Sequence, residues 1–213
     1  MPTNDSYKIR TKRNNLFLRI TKGHFATSHS HINYYIDVTT QKTRLSEAQA
    51  VAEELLTYYQ HNTIIDTVLC LDGTQVIGTC LAAELTKDNF SNMNAHQTIY
   101  VSTPEHTTGS QLIFRDNAAA AIRNKHVLIL EASISTGYTA QAAIEAVQYY
   151  GGIVVGLAAI FATVDSFGGY PVNAVFNPKD LPDYESHPAH ECPLCRAGKP
   201  LDALVNGYGF SRL

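Results

Sequence analysis

Between residues 46 and 61 the apolar positions Ala48, Val51, Ala52 and Leu55 recur at i, i+3, i+4 and i+7, and Ser46 followed by Gln49 has the form of a capping box. This spacing predicts an amphipathic helix over 46–61. The stretch from Asp66 to Leu71 (DTVLCL) is short, β-branched and nearly all apolar, and Asp72-Gly73 ends it with a turn signal, so it predicts a buried strand. Ile77, Cys80, Leu81 and Leu85 then share one helical face, and residues 98–102 (TIYVS) read as a further strand. The same alternation recurs downstream. His126 to Leu130 reads as a strand, Ala140, Ala143, Ile144 and Val147 form a helical stripe, and Gly151-Gly152 stops that helix before a strand at Ile153 to Leu157.

Strand, helix and strand in succession predict βαβ units, which right-handed crossovers turn into one parallel sheet with helices on both faces, an α/β fold. At 213 residues the chain supports one principal domain. Three regions are expected within it: a cap over about 1–45, an α/β core over about 46–176, and a tail over about 177–213. The cap carries an aromatic, histidine-rich stretch from His24 to Asp37 that predicts a strand or hairpin, and the tail is rich in Pro, Asp and His.

Charge narrows the function classes. Charged residues are 16% of the sequence, below the roughly 25% of an average soluble domain, and the formal net charge is −3, so no polyanion-binding surface and no nucleic-acid partner are expected. Met1 to Arg13 is polar, and the longest apolar run, Ile153 to Ala162, is too short to cross a bilayer, so no membrane association is expected. Four cysteines, two of them in a single CxxC, suit a reduced, cytoplasmic protein with at most one metal or redox site.

The candidate chemistry lies at residues 131–139, where a strand gives way to a helix. A helix N-terminus beyond the carboxyl end of a parallel strand offers free backbone N–H groups to an anion. Ser135, Thr136 and Thr139 add hydroxyl donors, Gly137 lets the backbone approach a phosphate or take positive φ, and Tyr138 completes the loop. Glu131, expected at the very end of the strand, can accept two hydrogen bonds from the vicinal hydroxyls of a ribose. Phosphate donors beside a sugar acceptor predict a ribose-5-phosphate site; the competing explanation is a well-capped helix start.

Residues 127–139, VLILEASISTGYT, resemble the signature of type I phosphoribosyltransferases, in which a hydrophobic strand ends in two acidic residues and runs into a Thr/Ser-Gly-x-Thr phosphate loop. Three further segments, in the order found in the orotate phosphoribosyltransferase branch, extend the resemblance from about residue 16 to the C-terminus. ITKGHF with NYYID is similar to the segment that holds the orotate ring, which implies Lys22, Gly23, Tyr34 and Tyr35 as base-site residues. Adjacent strand residues face opposite ways, so one of the two tyrosines is expected instead to pack the cap on the sheet. LDGTQVIG resembles the loop that receives pyrophosphate on the backbone N–H groups of Asp72, Gly73 and Thr74, with a plain β-turn as the alternative. The terminal CPLCRAGKPL is similar to a tail of bacterial orotate phosphoribosyltransferases.

The resemblance implies transfer of ribose 5-phosphate from 5-phosphoribosyl 1-diphosphate to orotate or a related nucleobase, with Mg²⁺ accompanying the diphosphate, Glu131 in the catalytic role, and a homodimer serving pyrimidine nucleotide biosynthesis. Two departures favour an alternative, a weakly active or inactive relative that binds or senses phosphoribosyl diphosphate or nucleotide. The family's acidic pair is Glu131-Ala132 here, and its Arg/Lys-rich mobile loop corresponds to STPEHTTGSQLIFRDN, where Pro104, Glu105 and His106 replace basic residues and Arg115, Arg123 and Lys125 are the nearby cations. Separately, His187, His190, Cys192 and Cys195 fall within nine positions, and His190 with Cys192 and Cys195 can supply three of four tetrahedral Zn²⁺ ligands. A reduced tail turn is the other explanation. The histidines at 24, 29 and 31 are expected on a solvated or substrate-facing loop.

Overall fold

The computed structural model describes residues 6–11, 16–90, 92–107, 111–181 and 183–213, so Met1–Arg13 is described only in part. Three strands open the chain, β1 (Ser6–Arg10), β2 (Phe17–Ala26) and β3 (His31–Asp37), followed by helices α1 (Thr39–Thr43) and α2 (Leu45–Tyr59). The core continues through β4 (Thr67–Cys70), α3 (Gln75–Leu85), β5 (Tyr100–Ser102), β6 (Glu105–His106), β7 (Leu112–Ile113), α4 (Asp116–Ala119), β8 (His126–Ile134), α5 (Tyr138–Tyr149), β9 (Ile153–Ala162), β10 (Ser166–Phe167) and β11 (Tyr170–Phe176). The tail adds β12 (Ser186–His187), α6 (Pro193–Arg196), β13 (Ala203–Asn206) and β14 (Gly209–Arg212).

The central sheet runs β10-β11-β9-β8-β4-β5, and every pair except the β10–β11 hairpin is parallel. This is the predicted α/β layering. One face of β8 points Leu128, Leu130 and Ala132 into a core shared with α2 and α3; Val127 and Ile129 pack on the other face with Ala140, Ala143, Ile144 and Val147 of α5. Val51 and Leu55 of α2 are fully buried, which favours folding by about 1.5–3 kcal/mol each before the cost of ordering the chain.

The helix predicted from Ser46 begins one residue earlier, with Arg44 at the N-cap and no side-chain cap bond, so the Ser46–Gln49 capping box does not form. The strand predicted at 98–102 is shorter, and the two predicted to end at Leu130 and Leu157 run on to Ile134 and Ala162. Those extensions pair with each other, Ser133 with Phe161 and Ile134 with Ala162.

The second sheet, or hood, runs β12-β3-β2-β13-β14 with β1 on β2. The tail is therefore woven into the N-terminal cap: β13 lies parallel to β2, with Ala203 opposite Phe25. In the β2–β3 hairpin the register slips between Lys22 and Phe25, so that Gly23 and His24 together oppose Asn33. At this bulge a Cβ on Gly23 would stand 2.6 Å from the Phe25 ring and 2.7 Å from Asp202 Oδ2, which accounts for glycine there.

Candidate functional site

β8 and β4 run parallel with Leu130 opposite Cys70, and Leu71 N–H donates to Leu130 O at 2.9 Å. This register delivers Glu131 and Asp72 side by side to a cleft of about 310 Å³ between hood and sheet. Glu131 does not end the strand, as its sequence neighbours suggested, but lies inside β8, opposite Ala159 of β9. Its side chain is 1% exposed and its Oε1 has no hydrogen-bond partner among the described residues. Burial, and then the charge of Asp72, push its pKa well above the usual carboxylate range.

Ala132 is fully buried on the opposite face of β8, in line with Leu128 and Leu130. The second acid position of the strand thus serves packing. A second carboxyl nevertheless reaches the cleft, from Asp72, whose pKa burial raises while Lys42 and the Ala132 backbone N–H oppose the rise. Asp72 has positive φ, +52°.

Lys42 was not legible as a site residue. Its ammonium is largely buried and donates to Asp72 O at 2.8 Å and to Gly207 O. It thereby ties the turn after β4 to the Asn206–Tyr208 turn joining β13 and β14, and all of Asn206, Gly207 and Tyr208 line the cleft. Burial lowers the Lys42 pKa, and Asp72 and Asp37 counter it. Of the other turn residues, Gly73 and Thr74 stand outside the cleft lining, and the Thr74 hydroxyl donates inward to Leu71 O (2.8 Å) and Leu130 O (3.1 Å).

The opposite wall is the loop Ser135-Thr136-Gly137-Tyr138-Thr139, all of which line the cleft. Gly137 is the N-cap of α5 at φ +78°, and no side chain caps the helix, so its first N–H groups are left to a ligand. A Cβ on Gly137 would lie 2.0 Å from Phe167 Cε2, so glycine is demanded by packing as well as by φ. Thr163 holds the loop from behind, its hydroxyl donating to Ser135 O at 3.0 Å.

Over this loop leans the β2–β3 turn. Thr27, Ser28 and His29 line the cleft, and the His29 ring stacks on Tyr138 with centroids 4.1 Å apart. The tyrosine pair divides as strand alternation requires: Tyr34 packs in the main core, whereas Tyr35 lines the cleft with Phe161, Tyr184 and Tyr208. Burial pushes the Tyr35 and Tyr184 phenols up to about 12, which keeps them neutral donors and acceptors. Lys22 and Gly23 do not line the cleft; Lys22 is exposed with its Nζ 5.6 Å from the Tyr34 ring centroid.

Among the described residues no lysine or arginine lines the cleft. Arg115 is held by Glu105 in a bidentate pair (Nη2 to Oε2 2.7 Å), and Lys125 Nζ sits 5.7 Å from the Tyr100 ring centroid. Residues 108–110 of the loop read as the family's mobile segment lie outside the described residues. His106 remains close enough for its charge to act on Asp72.

The metal ligand set read from the tail needs correction. Cys192 and Cys195 do converge, but with His24 and His31, while His190 is exposed beside Glu191. The nitrogens beside the two sulfurs come from the hood hairpin and not from the tail's own sequence, and His24 is 1% exposed rather than solvated.

The chain is 26% identical to the orotate phosphoribosyltransferase of Chlorobium phaeobacteroides (strain DSM 266 / SMG 266 / 2430) over 187 residues, covering 86% of this chain and 88% of that one. No protein-family model matches it. In structure it is similar to orotate phosphoribosyltransferase of Mycobacterium tuberculosis (TM-score 0.54, 17% identity, 78% of this chain and 93% of the other). It is also similar to UMP synthase of Leishmania donovani (TM-score 0.54, 20% identity, 76% and 34%) and to adenine phosphoribosyl transferase of Trypanosoma brucei, solved with AMP, pyrophosphate and ribose-5-phosphate (TM-score 0.51, 15% identity, 76% and 78%). The fold is that of the type I phosphoribosyltransferases. Among the described residues no helix is long and apolar enough to cross a membrane.

Proposed function

We propose that the protein is an orotate phosphoribosyltransferase-like enzyme that moves ribose 5-phosphate from 5-phosphoribosyl 1-diphosphate to orotate or a related nucleobase. The observation that carries this reading is the meeting, in one cleft, of an uncapped helix N-terminus lined with hydroxyls, an unpartnered buried carboxyl at Glu131, and a second carboxyl at Asp72. The 5′-phosphate binds the α5 N-terminus and the Ser135, Thr136 and Thr139 hydroxyls. The ribose hydroxyls give Glu131 the partners it lacks, and Asp72, the residue of its turn that lines the cleft, stands toward the diphosphate.

In the reaction the C1′–oxygen bond breaks, its electron pair leaves with pyrophosphate, and a base nitrogen, its proton passing to solvent, supplies the pair for the new bond to C1′. The ribose carries positive charge between the two events. That developing positive charge, with the divalent cation of the diphosphate, favours the ionised form of Glu131, which then opposes it at short range in a buried site, where such an interaction is strong. A hard divalent cation suits an unpartnered carboxylate oxygen beside a second carboxyl; Glu131 and Asp72 would face Mg²⁺ brought with the diphosphate, which supplies charge neutralisation of the leaving group. Tyr35, Phe161, Tyr184 and Tyr208 form an aromatic wall for a planar base. The resemblance further carries a homodimer working in the cytoplasm in pyrimidine nucleotide biosynthesis.

A second reading is favoured by the cation-free lining of the cleft and by the packing role of Ala132: a protein that binds phosphoribosyl diphosphate or nucleotide without turnover. Pyrophosphate release from 5-phosphoribosyl 1-diphosphate and Mg²⁺ across a panel of nucleobases separates the two. Release with orotate or a related base supports the enzyme; saturable binding without release for any base selects the second reading.

A further inference from the structure

We propose that His24, His31, Cys192 and Cys195 form a closed, four-coordinate structural Zn²⁺ site that clips the tail to the hood hairpin. Their ligand atoms all lie within 4.8 Å of one another. His24 Nε2 is 3.2 Å from His31 Nδ1, 3.5 Å from Cys192 Sγ and 3.6 Å from Cys195 Sγ, and Cys195 Sγ is 3.2 Å from His31 Nδ1. A tetrahedron with Zn–N of about 2.0–2.1 Å and Zn–S of about 2.3 Å has N–N edges of about 3.3 Å and N–S edges of about 3.6 Å. The three edges from His24 Nε2 match this frame to within about 0.1 Å and the Cys195–His31 edge is shorter, so the four atoms are gathered tightly enough to share one zinc ion.

The surroundings prepare the ligands. His24 Nδ1 faces the backbone carbonyls of Lys199 (2.9 Å) and Pro200 (3.2 Å), so its proton sits on Nδ1 and the Nε2 lone pair points to the centre. That is the usual second contact of a metal-bound histidine. The bulge at Gly23-His24 re-aims this ring, which is 1% exposed, and Asp202 holds the bulge by accepting the His24 N–H at 2.7 Å. Two thiolates, two neutral imidazoles and Zn²⁺ make a site of zero net charge, which suits the burial of His24 and Cys192. Binding displaces two thiol protons to solvent. A set of two sulfur and two imidazole ligands in tetrahedral array selects zinc over the hard cations.

The clip joins positions 24 and 31 to 192 and 195. The hairpin turn it closes carries Thr27, Ser28 and His29 over the cleft, so the metal fixes the hood lip above Tyr138. This inference does not depend on the proposed transferase activity.

The test is metal analysis of the full chain, purified without a histidine tag and under reducing conditions, then stripped with chelator, reloaded with Zn²⁺ and desalted. About one zinc per chain is expected. His190→Ala should retain it, while Cys195→Ser, at the exposed ligand, and His31→Gln should lose most of it with an unchanged far-ultraviolet circular dichroism spectrum. Cobalt loading provides a second reading that does not need a variant: thiolate-to-metal charge-transfer absorption is expected in the wild type. No zinc above buffer in the reduced wild type with no cobalt charge transfer, or equal loss in His190→Ala and Cys195→Ser, would overturn the proposal.

Discussion

Glu131, inside β8, and Asp72, just beyond β4, reach one cleft from neighbouring parallel strands, and the Asp72 charge adds to burial in raising the Glu131 pKa. The acidic pair that the resemblance leads one to seek in adjacent residues is here assembled across the sheet. Position 132 faces the core, and the second carboxyl arrives one strand over.

The first consequence concerns pH. Between the ordinary carboxylate value of 4.5 and the raised native value, the native protein binds more protons at Glu131 than the unfolded chain does. The stability from this group is thus fully present below the unfolded pKa and is lost as pH rises through the folded one. Glu131→Gln should abolish turnover yet unfold at higher temperature than wild type at neutral pH, with the difference vanishing below the ordinary carboxylate range. Thermal melts across pH check the sign.

Restoring the family acid at position 132 should fail. Ala132→Asp places a carboxyl among Leu128, Leu130 and the α2–α3 side chains, a cost of several kcal/mol. We expect poor folding and no gain in activity. Asp72→Asn, by contrast, should fold and lose diphosphate-dependent turnover by about 10²-fold or more. Denaturant midpoints and pyrophosphate release read the two effects.

Lys42→Met removes the donor shared by Asp72 O and Gly207 O and should destabilise by about 1–3 kcal/mol. Because it also frees the turn that carries Asp72, 5-phosphoribosyl 1-diphosphate affinity should fall with it. Denaturation and calorimetric titration measure both.

Gly137 is constrained twice. Gly137→Ala meets the Phe167 ring and keeps a φ of +78° that costs about 1 kcal/mol, so it should lose both stability and phosphate affinity. In the Gly137→Ala, Phe167→Ala double variant the clash is relieved and the φ strain remains. Relative to Phe167→Ala alone, the second substitution should therefore cost less than it does in the wild type.

Much of this architecture was written in local pattern. The helix predicted over 46–61 lies at Leu45–Tyr59, and the stripes at 77–85 and 140–147 fall inside Gln75–Leu85 and Tyr138–Tyr149, because each helix buries one face against the sheet. β8 runs on past Leu130 beneath the cleft, where Glu131 and Ser133 alternate with Ala132 and Ile134 and interrupt the apolar run, and β9 follows its own unbroken apolar run past Leu157 to pair with that extension. The Ser135–Thr139 loop was legible since helix start, glycine and hydroxyls are contiguous. Lys42 with Gly207, and His24 with Cys192, were not. These partners stand 165 and 168 residues apart, and only the tail's entry into the hood sheet brings them together.

The central claim is a phosphoribosyl diphosphate site at the α5 N-terminus beside Glu131. Isothermal titration of 5-phosphoribosyl 1-diphosphate with Mg²⁺ into the purified protein tests it most directly. Saturable binding at one site per chain is expected, competed by ribose 5-phosphate and weakened about 5–10-fold by Thr139→Val, which removes one hydroxyl donor. No saturable heat, or binding that is indifferent to both ribose 5-phosphate and Thr139→Val, would contradict it.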